Sequence, residues 1–245
     1  MSQSDRVLVE ILVAAPIEAV WKAVKDPVEA QRWFGWDYPN LAADLVEMWK
    51  DAHTDEARRV IWSDNMPDRF TFEALGSHTV VRIVRSAPAG DVSWSGIYDD
   101  MLEGWLTFMQ QLKFALERHP GENRRTLYLN GRAAKSGTPH PIDALGLSKL
   151  WVVPTGERYS VDVITGDRLE GTVFFRGANQ LGLTVDGFGD GLIIASVRPK
   201  TAKSAHGGGT VLITTYGLTD AALQQIRDRW SQWWTATYEV IEIRP

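Results

Sequence analysis

The chain has no cysteine. Disulfides, thiolate metal sites and thiol nucleophiles are therefore all excluded. A basic surplus is missing too. Its 26 Lys and Arg against 31 Asp and Glu leave a net charge of −5, the wrong sign for a protein that must present a positive face to phosphate. No stretch approaches the roughly 20 apolar residues of a membrane span. The opening residues, Met1 to Arg6, lack the basic and apolar regions of a secretory signal. These absences set the expectation of a cytoplasmic protein without membrane insertion and without a nucleic-acid partner.

Familiar catalytic signatures are missing as well. The five histidines (53, 78, 119, 140 and 206) form no H-x-x-x-H or H-E-x-x-H pair, so neither a metal nor another cofactor is expected. There is no nucleophile elbow, P-loop or G-x-G-x-x-G sequence. Ser63-Asp64-Asn65 copies a β-lactamase triplet, yet no S-x-x-K serine accompanies it. Gly187, Gly189 and Gly191 stand between two predicted strands, which suits a hairpin turn better than a phosphate cradle.

What the chain does have is length for one large domain or two of roughly 100–150 residues, and 11 tryptophans in 245 residues. Charge is uneven: residues 1–120 hold 12 Lys/Arg against 19 Asp/Glu, and residues 121–245 hold 14 against 12. Residues 6–14 are β-branched and apolar and predict a strand. Pro16 opens a helix to Lys25, and Asp26-Pro27 caps and starts a second one to about Trp33. Strands are expected over 57–62, 69–74 and 79–86, with 41–52 readable as either strand or helix. From Tyr98 to Arg118 the residues Leu102, Trp105, Leu106, Met109, Leu112 and Leu116 recur at helical spacing, which predicts a long amphipathic helix. The second half repeats the plan. A strand over 124–132 and a short helical piece over 141–150 come first. Strands over 158–164, 168–176, 181–186, 192–199 and 210–216 follow, and a closing helix capped by Thr219 runs from Asp220 to about Val240.

Several pieces in this order carry a resemblance. They are Val13-Ala14-Ala15-Pro16 with Ile17 to Trp21, Asp26-Pro27 with Gln31 to Phe34, the Gly76–Ile83 strand, and Gly104-Trp105 in the long helix. Over residues 5–118 the chain resembles the START-like, helix-grip (SRPBCC, birch-pollen-allergen-like) superfamily. Within it, the likeness is to the branch similar to the activator of heat-shock protein 90 ATPase. The second half is similar but reduced, with Pro141–Trp151 short where two helices belong and no Gly before Trp230. The resemblance implies an α+β helix-grip fold, a curved antiparallel sheet around a long C-terminal helix, in two tandem units. Residues 1–120 would form the first unit and 121–245 a second, degenerate one. It also implies an apolar pocket between sheet and helix, which relatives use for lipids, sterols, polyketides or other apolar molecules.

The candidate lining follows. Trp33, Phe34 and Trp36 cluster where the second helix meets the pocket mouth, and Phe70 and Phe72 share one strand face. Trp105, Phe108 and Met109 lie on or near the buried stripe of the long helix, with Trp230, Trp233 and Trp234 on its counterpart. Arg82 is a candidate partner for a ligand carboxylate if it faces inward. Glu73, Asp99 and Asp100 are candidate carboxylates, the last two also suited to a helix start. The leading expectation is a protein that holds an apolar small molecule, of lipid, polyketide or aromatic type, without chemistry, hence not an enzyme. The alternatives are a cyclase- or hydrolase-type enzyme using a pocket carboxylate or Arg, and a chaperone-associated interaction protein.

Overall fold

The computed structural model describes residues 5–64, 67–86, 97–201 and 204–241, with side chains of 97–100 excepted. The chain divides into two compact units, Met1–Asn123 and Arg124–Pro245.

In the first unit β1 (Arg6–Val13) leads into α1 (Ile17–Lys25), α2 (Pro27–Ala30) and α3 (Leu41–Lys50). Asp26 caps α2 by accepting from Val28 N at 2.9 Å, with Pro27 at the first helical position. Then come β2 (Ala52–Asp55), β3 (Val60–Ser63), β4 (Asp68–Leu75), β5 (His78–Arg85) and the long helix α4 (Ile97–Arg118). The sheet is antiparallel in the order β1-β5-β4-β3-β2. The ambiguous 41–52 segment is mostly helix, because Leu41 and Leu45, four residues apart, both bury. Between β4 and β5 the left-handed Gly76 (φ 62°) closes a hairpin that pairs Leu75 with His78 and Asp68 with Arg85. Side-chain parity from that turn puts Phe70, Phe72, Val81 and Ile83 on the buried face. They pack with Val20, Trp21 and Leu112 in one continuous core.

The second unit runs β6 (Arg125–Ala133), α5 (Pro141–Ala144), a 3-10 turn at Ser148–Val152, β7 (Arg158–Asp162), β8 (Arg168–Arg176), β9 (Gln180–Val185), β10 (Gly191–Arg198) and β11 (Gly208–Thr215). It closes with α6 (Asp220–Thr237), capped by Thr219, and β12 (Tyr238–Val240). Its sheet order is β12-β6-β11-β10-β9-β8-β7. The glycine run at 187–191 is indeed the β9–β10 connection: Gly189 (φ 72°) lies so close to Tyr216 that a Cβ there would sit 1.7 Å from its carbonyl oxygen. The expected helix to Val240 ends three residues early, because Tyr238, Glu239 and Val240 pair with Ala133, Arg132 and Gly131 of β6. Trp230 and Trp234 are fully buried here, among Phe188, Ile226 and Tyr238.

Each unit is thus a curved antiparallel sheet that buries one face against its own closing helix, with short helices after the first strand. That is the helix-grip, α+β architecture. No helix among the described residues is long and apolar enough to cross a membrane.

Candidate functional site

The first unit contains a cleft walled by Phe34, by Met48 and Trp49 of α3, by Ala52 of β2, by Ile61, Trp62 and Ser63 of β3, by Asp68 and Phe70 of β4, and by Trp105 of α4. Its rings meet edge to face. Phe70 and Trp105 have centroids 5.4 Å apart at 90°, and Phe34 and Trp49 lie 5.5 Å apart at 83°. Phe108 backs Phe34 at 4.7 Å. Met48 and Trp62, 41 % and 37 % exposed, form the rim. The empty space including the open mouth is about 390 Å³, but room for water amounts to only about 30 Å³, enough for a water molecule and far below the roughly 300–1,000 Å³ of a ligand site.

α3 is a lightly anchored wall. It buries only Leu41 and Leu45, neither end has a side-chain cap, and Trp49 Nε1 donates to the carbonyl of Val24 at 2.6 Å.

Among the described residues one charged group lines the cleft. Asp68, first residue of β4, faces Arg85, last residue of β5, across the hairpin register. Arg85 Nε donates to Asp68 Oδ1 at 2.5 Å and Nη2 to Oδ2 at 2.6 Å, a bidentate pair whose side chains are 6 % and 3 % exposed. Trp105 Nε1 donates to Oδ2 at 2.8 Å, and Arg85 Nη2 lies 3.9 Å from Met101 Sδ. Two strands and the closing helix therefore converge on one carboxylate.

The candidates from sequence separate. Phe34, Phe70 and Trp105 line the cleft, with Phe108 behind Phe34. Trp33 is core, its indole donating to Ala23 O at 2.8 Å, and Met109 is fully buried. Phe72 packs edge-on against Trp21, and Trp36 lies tilted against Tyr38, both away from the cleft lining. Arg82 does not face inward. With Val81 and Ile83 buried, parity turns it to the outer face, where it bonds Glu10 at 2.5 Å and Glu73 at 2.7 Å. Those two carboxylates hold its guanidinium more firmly protonated, Glu73 most. Glu73 is spent on that ladder. The side chains of Asp99 and Asp100 lie outside the described residues.

Trp230, Trp233 and Trp234 meet edge to face within the second unit's core, with Phe188 edge-on to Trp230 and Tyr238 tilted against Trp234. Trp230 Nε1 donates to Asp167 Oδ2 at 2.9 Å, and Arg229 Nη2 to Oδ1 at 2.6 Å. Asp68, Arg85, Met48, Trp49 and Trp62 escaped the sequence reading. The phase argument that turns Arg82 outward would have found Arg85, three residues on. Among the described residues no group of three His, Asp or Glu could hold a metal ion.

No family model and no curated protein matches the chain. Among solved structures, the di-domain ARO/CYC BexL from the BE-7585A biosynthetic pathway is similar at 14 % identity over 99 % of this chain and 100 % of its own, with a TM-score of 0.37. The di-domain ARO/CYC StfQ from the steffimycin pathway is 13 % identical over 94 % and 91 %, at 0.32. DynU16, of the dynemicin biosynthetic locus, is 17 % identical over 96 % of both chains, at 0.31. None of these three is described as a heat-shock activator. Two of them carry the ARO/CYC description, which stands against the expectation that this chain is not an enzyme.

Proposed function

We propose that the first unit's cleft admits an apolar, ring-bearing small molecule of polyketide type and that the chain is a cyclase-type enzyme with Asp68 as its proton-accepting group. The observation that carries this reading is the single carboxylate set in an aromatic wall, locked in place by Arg85 and Trp105. Aromatic faces supply area and orientation with little loss of side-chain entropy. A carboxylate fixed in an aromatic wall by a guanidinium and an indole N–H is placed to take a proton from a hydroxyl or from a carbon beside a carbonyl. Phe34, Phe70 and Trp105 contact the ligand in this reading, and Arg85 positions Asp68. The narrowness of the cleft requires α3 to move outward as the ligand enters.

The same reading takes residues 1–120 and 121–245 as two START-like domains, supported by a separate sheet and closing helix in each. The second is degenerate and its Trp cluster serves as core. The test is native mass spectrometry of the freshly purified chain against its denatured mass, followed by turnover of any extracted ligand. A discrete adduct, with turnover lost in Asp68→Asn, is expected. A clean apo mass, with no response to a panel of apolar ring compounds, overturns the reading.

A further inference from the structure

The three bonds to Asp68 leave a fourth position open. Each carboxylate oxygen offers two lone-pair sites. Oδ2 takes Arg85 Nη2 and Trp105 Nε1, and both its sites are used. Among the described residues Oδ1 takes Arg85 Nε alone. One acceptor site therefore remains on a side chain that is 3 % exposed and belongs to the cleft wall. The room for water in the cleft, about 30 Å³, suffices for a water molecule to satisfy it.

Building on the reading that this cleft takes a small molecule, we infer that its ligand carries a neutral hydroxyl, phenolic or enolic, that donates a hydrogen bond to Asp68 Oδ1. A ligand entering the cleft displaces the water that this oxygen would otherwise bind. A hydroxyl of the ligand replaces the lost bond, and that bond is charge-assisted. An ether of the same outline leaves a desolvated carboxylate lone pair against hydrocarbon, the situation in which a polar site rejects the analogue that lacks the donor. A carboxylate on the ligand is disfavoured at this oxygen, because it brings a second negative charge and no proton. Ser63 adds a neutral hydroxyl to the surrounding wall of Phe34, Phe70, Ile61 and Trp105, so among the described lining residues Asp68 is the one charged acceptor, and the bond to it sets the ligand's orientation as well as its class.

The test is isothermal titration calorimetry of the full chain at neutral pH with 2-naphthol and with 2-methoxynaphthalene, read beside the 19F spectrum of 5-fluorotryptophan-labelled protein in which Trp105→Phe assigns the Trp105 signal. The naphthol is expected to bind at least about tenfold tighter and to shift the Trp105 resonance, since that indole shares the carboxylate. In Asp68→Leu, if it folds, the preference disappears. The comparison of the two ligands on the wild-type chain stands without that variant. Equal affinity for both compounds, or a preference with no Trp105 shift, overturns the hydroxyl inference and leaves the cleft reading intact. Failure of both compounds to bind overturns the cleft reading itself.

Discussion

Replacing Arg85 by Met keeps a long apolar stem and removes the guanidinium. In the native unit that guanidinium supplies two of the three hydrogen bonds to the Asp68 carboxylate, at 2.5 and 2.6 Å, and neither side chain is more than 6 % exposed. The variant leaves the carboxylate buried with one indole N–H. Two unit charges about 4 Å apart at an effective dielectric of about 20 interact by about 4 kcal/mol. Removal of one partner from a buried pair typically destabilises by about 3–5 kcal/mol, which agrees. For a unit of this size that corresponds to a melting point lower by roughly 10–20 °C. Because there are two units, a bulk melt is ambiguous. Hydrogen exchange followed by mass spectrometry resolves them through peptides spanning 78–85 and 208–215, with loss of protection expected in the first alone. The double variant Asp68→Leu with Arg85→Met regains most of the loss, since an apolar pair needs no compensating charge. A single variant within about 3 °C of wild type, or a double variant no better than the single, would refute the claim that this pair is desolvated.

Arg82→Ala removes only an outward cross-strand ladder to Glu10 and Glu73. It should lower stability by less than about 1 kcal/mol in urea titration and leave 2-naphthol affinity unchanged by calorimetry. Trp49→Phe deletes the 2.6 Å bond to Val24 O. Exchange across residues 41–50 should accelerate, with a local loss of about 1 kcal/mol and faster ligand association in stopped flow. Gly189→Ala places a methyl 1.7 Å from Tyr216 O at φ 72°. The second unit should lose about 3 kcal/mol or more, with protection in the first unit unchanged. Burial raises the Tyr128 phenol to about 12, partly opposed by Arg198, and raises Tyr159 further. An unfolded tyrosine titrates near about 10, so stability from these groups is complete below that pH and falls as pH climbs toward 12. Phenolate absorbance that instead rises with an ordinary midpoint in the folded protein would contradict their burial.

Local signals carried far. The three-and-four spacing from Leu102 to Leu116 marks a helix that spans Ile97–Arg118, and Thr219 caps α6 by accepting from Ala222 N. Residues 41–52 are ambiguous in sequence because their many apolar side chains suit either period, and only Leu41 and Leu45 meeting one core decides for helix. The end of α6 is hidden in the sequence, since Trp233 to Tyr238 continues a helical pattern while the competing partner, β6, is about a hundred residues away. The aromatic clusters, named in both units, do not separate wall from core. Trp33 and Phe34 are neighbours, yet one is sealed over Ala23 O and the other faces the cleft. Asp68 and Arg85 were the largest omission. Nothing in their own neighbours marks them, and only counting outward from the Gly76 turn sets them opposite each other.

The return of the chain through β12 has a mechanical consequence. The last described strand lies on β6, the strand that begins the second unit, through three residue pairs and the bond from Ile241 N to Asn130 O. Gly131 permits that approach, since a Cβ there would sit 2.8 Å from Tyr238 Cβ. A load applied to the tail meets these few bonds before it reaches α6 and the tryptophans beneath it. The strand works as a fuse. Its detachment uncovers the edge of β6 and offers an unpaired strand to any neighbouring chain, so a tether or surface attachment at this end pulls on the part of the unit that yields first.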